Sequence, residues 1–266
     1  MEESVLGMGG TLIVSMGYNC YVSWTLRKIG IQKGSYPIDW VNSFRFSRLL
    51  DFIDEFSIDS LKGFEPSPID ADAASGTSYY ITRYAMRFPH EHDVNPEISI
   101  REIGERYARR FDRLKAHCKA ASHVVFLRTN AVRSYNLAPE DVDEYSPDVV
   151  LKAARVLRDL AGHNRFTLVI LRERLEVPAI DAPFVAQADL LVPFENGFYD
   201  ADVSQPRKSD AFDFFRNGLT PIQKARSTAE VKKALVGLSA TSQMRPDRAQ
   251  GFRWLDLLQG HRSRKS

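Results

Sequence analysis

Cysteine is scarce in this chain: Cys20 and Cys118 are its only two in 266 residues. Two thiols cannot staple a disulfide scaffold, and they are too few for a cysteine-based zinc site. A large excess of either charge is missing too, with 36 Lys and Arg against 34 Asp and Glu. The net charge of +2 gives no argument for a nucleic-acid partner. The one basic cluster, His261-Arg262-Ser263-Arg264-Lys265, is terminal, and a flexible, solvated tail is expected over 260–266. Long apolar runs are missing, and none approaches the roughly 18 to 20 residues that span a bilayer. The opening MEESVLGMGG has neither a positive n-region nor an apolar h-region, so no signal peptide is expected. Gly7, Gly9 and Gly10 precede the first strand, whereas a dinucleotide fingerprint needs its glycines after it. These absences predict a cytoplasmic protein with no membrane partner, no cofactor and no metal centre.

What is present suits a globular enzyme or binding protein. Hydrophobic residues make up 44% and charged residues 26%, enough to build a sizeable core. No internal repeat or low-complexity tract occurs. The expectation is a single α/β domain over 1–266, with an irregular insertion around 63–98.

The chain turns on Thr11 to Gly30, TLIVSMGYNCYVSWTLRKIG. Thr11 to Ser15 is a compact β-rich run ended by Met16-Gly17-Tyr18. Val22, Leu26 and Ile29 then recur at helical spacing, and Gly30 can close that helix. Asn19 is the natural N-cap, which makes Cys20 the first helical residue. Backbone N–H groups and the helix dipole favour a thiolate there. The competing reading is a small, buried core cysteine.

Next comes Ser35-Tyr36-Pro37-Ile38-Asp39-Trp40. Asp39 lies between two large apolar residues, where a carboxylate needs partners. It either accepts backbone N–H bonds in the turn or orients a site residue, and the turn role is favoured. Phe46 to Phe56 predicts a short helix, Gly63 to Thr77 an irregular loop, and Tyr79 to Phe88 one bent strand or a hairpin. Pro89-His90-Glu91-His92-Asp93 is the densest titratable cluster in the chain. A metal reading lacks a third ligand. The functional alternative to a solvated loop is a general base delivered to Cys20.

Ser99 and Glu102 make a capping box for a helix whose apolar stripe is Ile100, Ile103, Tyr107, Phe111, Leu114 and Cys118. Cys118 is therefore expected in the core. Arg106, Arg109, Arg110 and Arg113 are expected on a solvent face, with Glu105 pairing Arg109. Three apolar runs follow: His123 to Leu127, Phe166 to Leu171, and Asp189 to Val192. Ser146, Pro147 and Gly162 bound a helix between the first two. Another helix opens at Ser227 to Glu230 and turns Val231, Ala234, Leu235 and Leu238 inward. Glu195 to Gly218 reads as a long loop.

Strands alternating with helices predict α/β architecture, a mainly parallel sheet with helices on both faces in a Rossmann-like three-layer arrangement. The alternative is papain-like α+β. Ligands of parallel sheets bind beyond the carboxyl ends of the strands. Gly17 to Cys20, Arg128-Thr129-Asn130 and Arg172 leave those ends, so Gly17, Arg128, Asn130 and Arg172 are the candidate ligand-binding residues. Two arginines there would suit a carboxylate or phosphate and lower the Cys20 pKa.

Ser15 through Cys20, Tyr36-Pro37-Ile38-Asp39-Trp40, and Phe88 through Asp93 together resemble a bacterial family of uncharacterised proteins described as "putative papain-like cysteine peptidases". The S-x-G-x-N-C and P-[FI]-D-W pieces carry the likeness, with isoleucine where phenylalanine is expected before Asp39. It extends to the arginine-rich helix and Val124-Val125-Phe126-Leu127-Arg128, about the first half of the chain. The resemblance implies Cys20 as nucleophile and His92 as base, in the cysteine-then-histidine order of papain-like enzymes, with His90 the competing histidine. Asp93 or Asp39 would orient the imidazole, and Asn19 would help hold the oxyanion. The function expected is a cysteine-nucleophile hydrolase or acyl/amidotransferase using a Cys–His pair. Its substrate would be a small or peptide-like molecule, with an anionic group as an option; the oligomeric state stays open. The alternative is an anion- or nucleotide-sugar-binding transferase domain with a structural Cys20.

Overall fold

The computed structural model describes residues 10–17, 20–32, 34–62, 65–68, 77–89, 91, 100–129, 145–172, 179–189 and 218–243. Four strands form a wholly parallel sheet in the order β1 (Thr11–Ser15), β6 (His123–Thr129), β7 (Phe166–Arg172) and β8 (Val185–Asp189). A second, antiparallel sheet runs β2 (Asn42–Ser43), β5 (Met86–Phe88), β4 (Thr77–Ile81) and β3 (Glu65–Pro68). The longer helices among the described residues are α1 (Tyr21–Lys28), α2 (Phe46–Asp54), α3 (Ile100–Ala120), α4 (Pro147–Ala161) and α5 (Thr228–Gln243). The protein is therefore a mixed α/β fold built around a four-stranded parallel sheet.

Strands β1, β6 and β7 read as largely apolar runs because both of their faces are covered. Side chains alternate across a strand, and the core divides accordingly. Leu12 and Val14 of β1, Val124 and Phe126 of β6, and Leu168 and Ile170 of β7 share one cluster with α2, α3 and α4. Ile13, Val125, Leu127, Val169 and Leu171 share the other with Val22 and Leu26 of α1 and Val231 and Leu235 of α5. In the first cluster the Phe52 ring of α2 meets Phe56, Tyr84, Phe88 and Phe111. That aromatic knot fastens the antiparallel sheet and α3 to α2.

Most elements lie where the pattern puts them. Ser146 caps α4, accepting from the Val149 N–H at 3.4 Å, with Pro147 in the first turn and Gly162 left-handed at the end. At α5 the Ser227 hydroxyl accepts from Glu230 N at 3.3 Å, while the Glu230 carboxylate reaches back to Arg226 N at 2.7 Å. Residues 79–88 belong to a hairpin, β4 turning into β5 through the 3-10 helix Thr82–Tyr84 and a left-handed Ala85.

Several expectations need correction. The stretch read as an irregular loop contains β3, which pairs with β4 from Glu65↔Tyr80 to Pro68↔Thr77. The last parallel strand among the described residues is Val185–Asp189, which begins four residues before the expected Asp189 to Val192 run. Paired beside β7 at the sheet edge, it makes do with Ala186 and Ala188 on one face. Ile100 of the α3 stripe is exposed at the helix start, whereas Ile103 to Cys118 are buried. Glu105 pairs with Arg101, not Arg109. The capping residue Ser99, Leu190 to Val192 and the 260–266 tail lie outside the described residues, as does the 195–218 loop apart from its last residue. No helix among the described residues is long and apolar enough to cross a membrane.

Candidate active site

The parallel register brings the carboxyl ends of β1, β6 and β7 to one edge, with Ser15 opposite Leu127 and Arg128 opposite Ile170. The chain leaves β1 through Met16 and Gly17, and Gly17 sits at φ +64°. A Cβ there would stand 3.2 Å from Ser43 Oγ and 3.3 Å from Ile38 Cγ2. Glycine is favoured at this corner twice over, by its left-handed conformation and by the close approach of Ser43 and Ile38.

Cys20 is half-buried and is itself the N-cap residue of α1, one position earlier than the Asn19 cap assigns it. Its thiol is raised above the ordinary value because burial outweighs the help it receives from its own backbone N–H. The lowering expected at a helix start is thus opposed by burial, the larger influence on this thiol. Cys118 lies in the core as the stripe predicts, its thiol pushed up to about 12 by burial.

Arg128 does not offer its guanidinium to a ligand in the way its place at the strand end suggests. It is fully buried, and Nη1 donates to Met16 O at 2.9 Å, Gly17 O at 3.1 Å and Ser43 Oγ at 3.0 Å. Nη2 donates to Ser43 O at 2.9 Å, and the group lies 5.0 Å from the Phe46 ring centre. It is a strut between the end of β1 and β2. Phe126 and Arg128, two residues apart, face the same side of the sheet, which is why the side chain meets Phe46.

Asp39 is also fully buried. Ser23 Oγ donates to Oδ1 at 2.9 Å, Tyr36 N donates to Oδ2 at 2.7 Å, Gln32 Nε2 donates to Oδ2, and Arg27 Nη2 stands 3.6 Å away. Burial raises its pKa to about 6, against the lowering effect of Tyr36 N–H, Ser23, Arg27 and Gln32. These partners tie α1 to the Tyr36 turn; no histidine is among them.

Asn19, His90, His92, Asp93 and Asn130 lie outside the described residues, as does the side chain of Arg172, the last residue of β7. Between the two histidines, however, Glu91 is described and buried. Arg106 Nη1 donates to its Oε2 at 2.6 Å and Arg110 Nη1 to its Oε1 at 3.4 Å. Half of the arginine row expected on a solvent face of α3 is thus engaged with the chain that follows β5. Sequence reasoning missed Glu91. The available signal was two arginines one turn apart on a helix with only one acidic residue in reach.

A path of contacts joins this segment to the Gly17 corner. Ser43 abuts Gly17 and accepts from Arg128, and β2 pairs with β5 through Asn42↔Arg87 and Ser43↔Met86. Glu91 follows three residues after the end of β5. Among the described residues no group of three metal-ligating side chains occurs.

A family model described as "Putative papain-like cysteine peptidase" matches residues 11–144. The chain belongs to this family, and the match takes in β1, the Cys20 helix start, both sheets' shared corner and the Glu91 segment. It is also similar to uncharacterised protein R408 of Acanthamoeba polyphaga mimivirus, 26% identical over 152 residues, which cover 50% of this chain and 68% of that protein. No solved structure matches.

Proposed function

We propose that the protein is a cysteine-nucleophile hydrolase or acyl/amidotransferase in which Cys20 works with His92. The Cys20 thiolate adds to a substrate carbonyl, and the imidazole takes the thiol proton and returns it to the leaving group. Water, or an amine acceptor in the transferase variant, then attacks the thioester and releases the acyl group. Cys20 N–H and the Asn19 side chain are the oxyanion donors, and Asp93 orients the imidazole. The substrate is small or peptide-like.

The observation that carries this reading is the place of Cys20, only half-buried at the start of α1 on the edge where the parallel strands end. Family membership agrees with it. The raised thiol adds a requirement: a half-buried thiol without help is mostly protonated near neutral pH, so attack needs an adjacent base. The anion- or nucleotide-sugar-binding alternative draws no support from Arg128, whose guanidinium is buried against Met16, Gly17 and Ser43. The whole chain is read as one α/β domain. The two clusters on opposite strand faces support a Rossmann-like three-layer body carrying the antiparallel sheet as an addition.

Iodoacetamide labelling of the folded protein tests the site. Cys20 is expected to alkylate much faster than Cys118, and His92→Ala to slow Cys20 near neutral pH while His90→Ala does not. A larger effect of His90→Ala would move the base to His90. Equal rates for the two cysteines would remove the nucleophile assignment.

A further inference from the structure

We propose that Glu91 is a positioning residue for the histidine that serves Cys20, an inference that rests on the Cys–His reading above. Its carboxylate is 4% exposed and lies between two guanidiniums, those of Arg106 and Arg110. Those arginines are four apart on α3 and therefore share one face of it. Tyr107 lies between them in sequence and is fully buried, its hydroxyl pushed well above the usual range by burial and by the Glu91 charge. The Arg110 guanidinium stands 5.0 Å from the Tyr107 ring centre.

Burying a carboxylate is unfavourable unless its partners are fixed, and these partners are. The helix beneath is 21 residues long and is seated by Ile103, Tyr107, Phe111, Leu114 and Cys118. The chain above is held a second time at Phe88, whose ring meets Tyr107 at 5.5 Å and Phe52 at 6.3 Å between centroids. Phe88 and Glu91 are thus both anchored, the first two residues before His90 in sequence and the second immediately before His92. A solvated loop needs no such clamp, whereas a base that must stay within reach of a thiol does.

Glu91→Gln keeps the side-chain shape and removes the charge, and Arg106→Gln loosens the clamp from the other partner. The measurement is the pH profile of Cys20 alkylation, with protection of Cys118 reporting an intact core. Both variants are expected to slow Cys20 by roughly tenfold near neutral pH, the effect of a thiol pKa higher by about one. Neither is expected to slow it further when combined with His92→Ala. Loss of a negative charge acting only through the field would speed Cys20 instead. If His92→Ala shifts the profile and both clamp variants leave it unchanged or speed Cys20, the positioning role is overturned alone. If neither histidine variant nor the clamp variants move the profile, the Cys–His reading falls and this role with it.

Discussion

Arg128 grips Ser43 twice, Nη1 on its hydroxyl at 3.0 Å and Nη2 on its carbonyl at 2.9 Å. The same guanidinium holds the Met16 and Gly17 carbonyls. One side chain from the centre of the parallel sheet thus fixes the corner before Cys20 and the first strand of the antiparallel sheet. Arg128→Met should cost about 3–5 kcal/mol of stability, because it strands buried acceptors and keeps none of the donors. Arg128→Lys should recover only part of this, since an ammonium cannot span the same fork. Urea unfolding midpoints check both; a loss below about 1 kcal/mol for Arg128→Met would refute the strut.

The Gly17 corner makes a sharper comparison. Gly17→Ala forces a side chain onto φ +64° and against Ser43 and Ile38. Gly30→Ala meets φ +79° with nothing within 4 Å. Gly30→Ala should cost about 1 kcal/mol from conformation alone, and Gly17→Ala about 2–3 kcal/mol. Thermal melts of the two variants side by side decide this. The order of the two, more than either value, is the expected outcome.

Two buried groups give stability opposite slopes in mild acid. Asp39, at about 6 in the fold against 3.8 outside it, binds its proton more tightly when folded. Its contribution is therefore present below pH 3.8 and is lost as pH rises through 6, to the extent of about 3 kcal/mol. His123 is the reverse, lowered from 6.5 to about 4 chiefly by burial, then by His163 and Arg165, with Glu230 acting against them. Its Nε2 shares a hydrogen bond with Thr167 Oγ1 at 2.8 Å, and its Nδ1 has no partner among the described residues. The neutral ring stabilises the fold above pH 6.5, and that contribution is lost as pH falls through 4. In unfolding curves from pH 4 to 7, Asp39→Asn should remove the loss on raising pH, and His123→Gln the loss on lowering it. Identical slopes in wild type and either variant would count against the assignment for that residue.

Thr167 extends the His123 contact to Thr228 Oγ1 at 2.8 Å, and Thr228 is the first residue of α5. Thr228→Val should therefore destabilise the protein by about 1 kcal/mol and raise amide exchange across 228–243. Exchange confined to other segments would show that the docking of α5 does not depend on this relay.

The parallel body was readable because its signals are local: apolar runs for β1, β6 and β7, a three-part cap signature for α4, one long stripe for α3. What escaped was set by pairing at a distance. Glu65-Pro66-Ser67-Pro68 carries no strand propensity of its own and is extended only because β4 lies beside it. Val185–Asp189 yields to the more apolar Leu190-Leu191-Val192 in any reading of hydropathy, since alanines suffice beside β7. At the candidate site, the helix start at Cys20 was legible within one residue, and so was the turn chemistry of Asp39. The raised thiol, the inward turn of Arg128 and the burial of Glu91 were not, because each depends on which neighbours tertiary packing supplies.

The outermost strand of the antiparallel sheet has a bearing on how copies of the chain meet. Pro66 and Pro68 carry no N–H, so pairing with β4 draws on Glu65 and Ser67, the two residues of β3 that can donate. Residues two apart point the same way, which leaves the outward rim with acceptors and no donors along its length. A neighbouring molecule offering its own strand would find only half of a ladder there. Along these four described residues, composition itself disfavours edge-on growth.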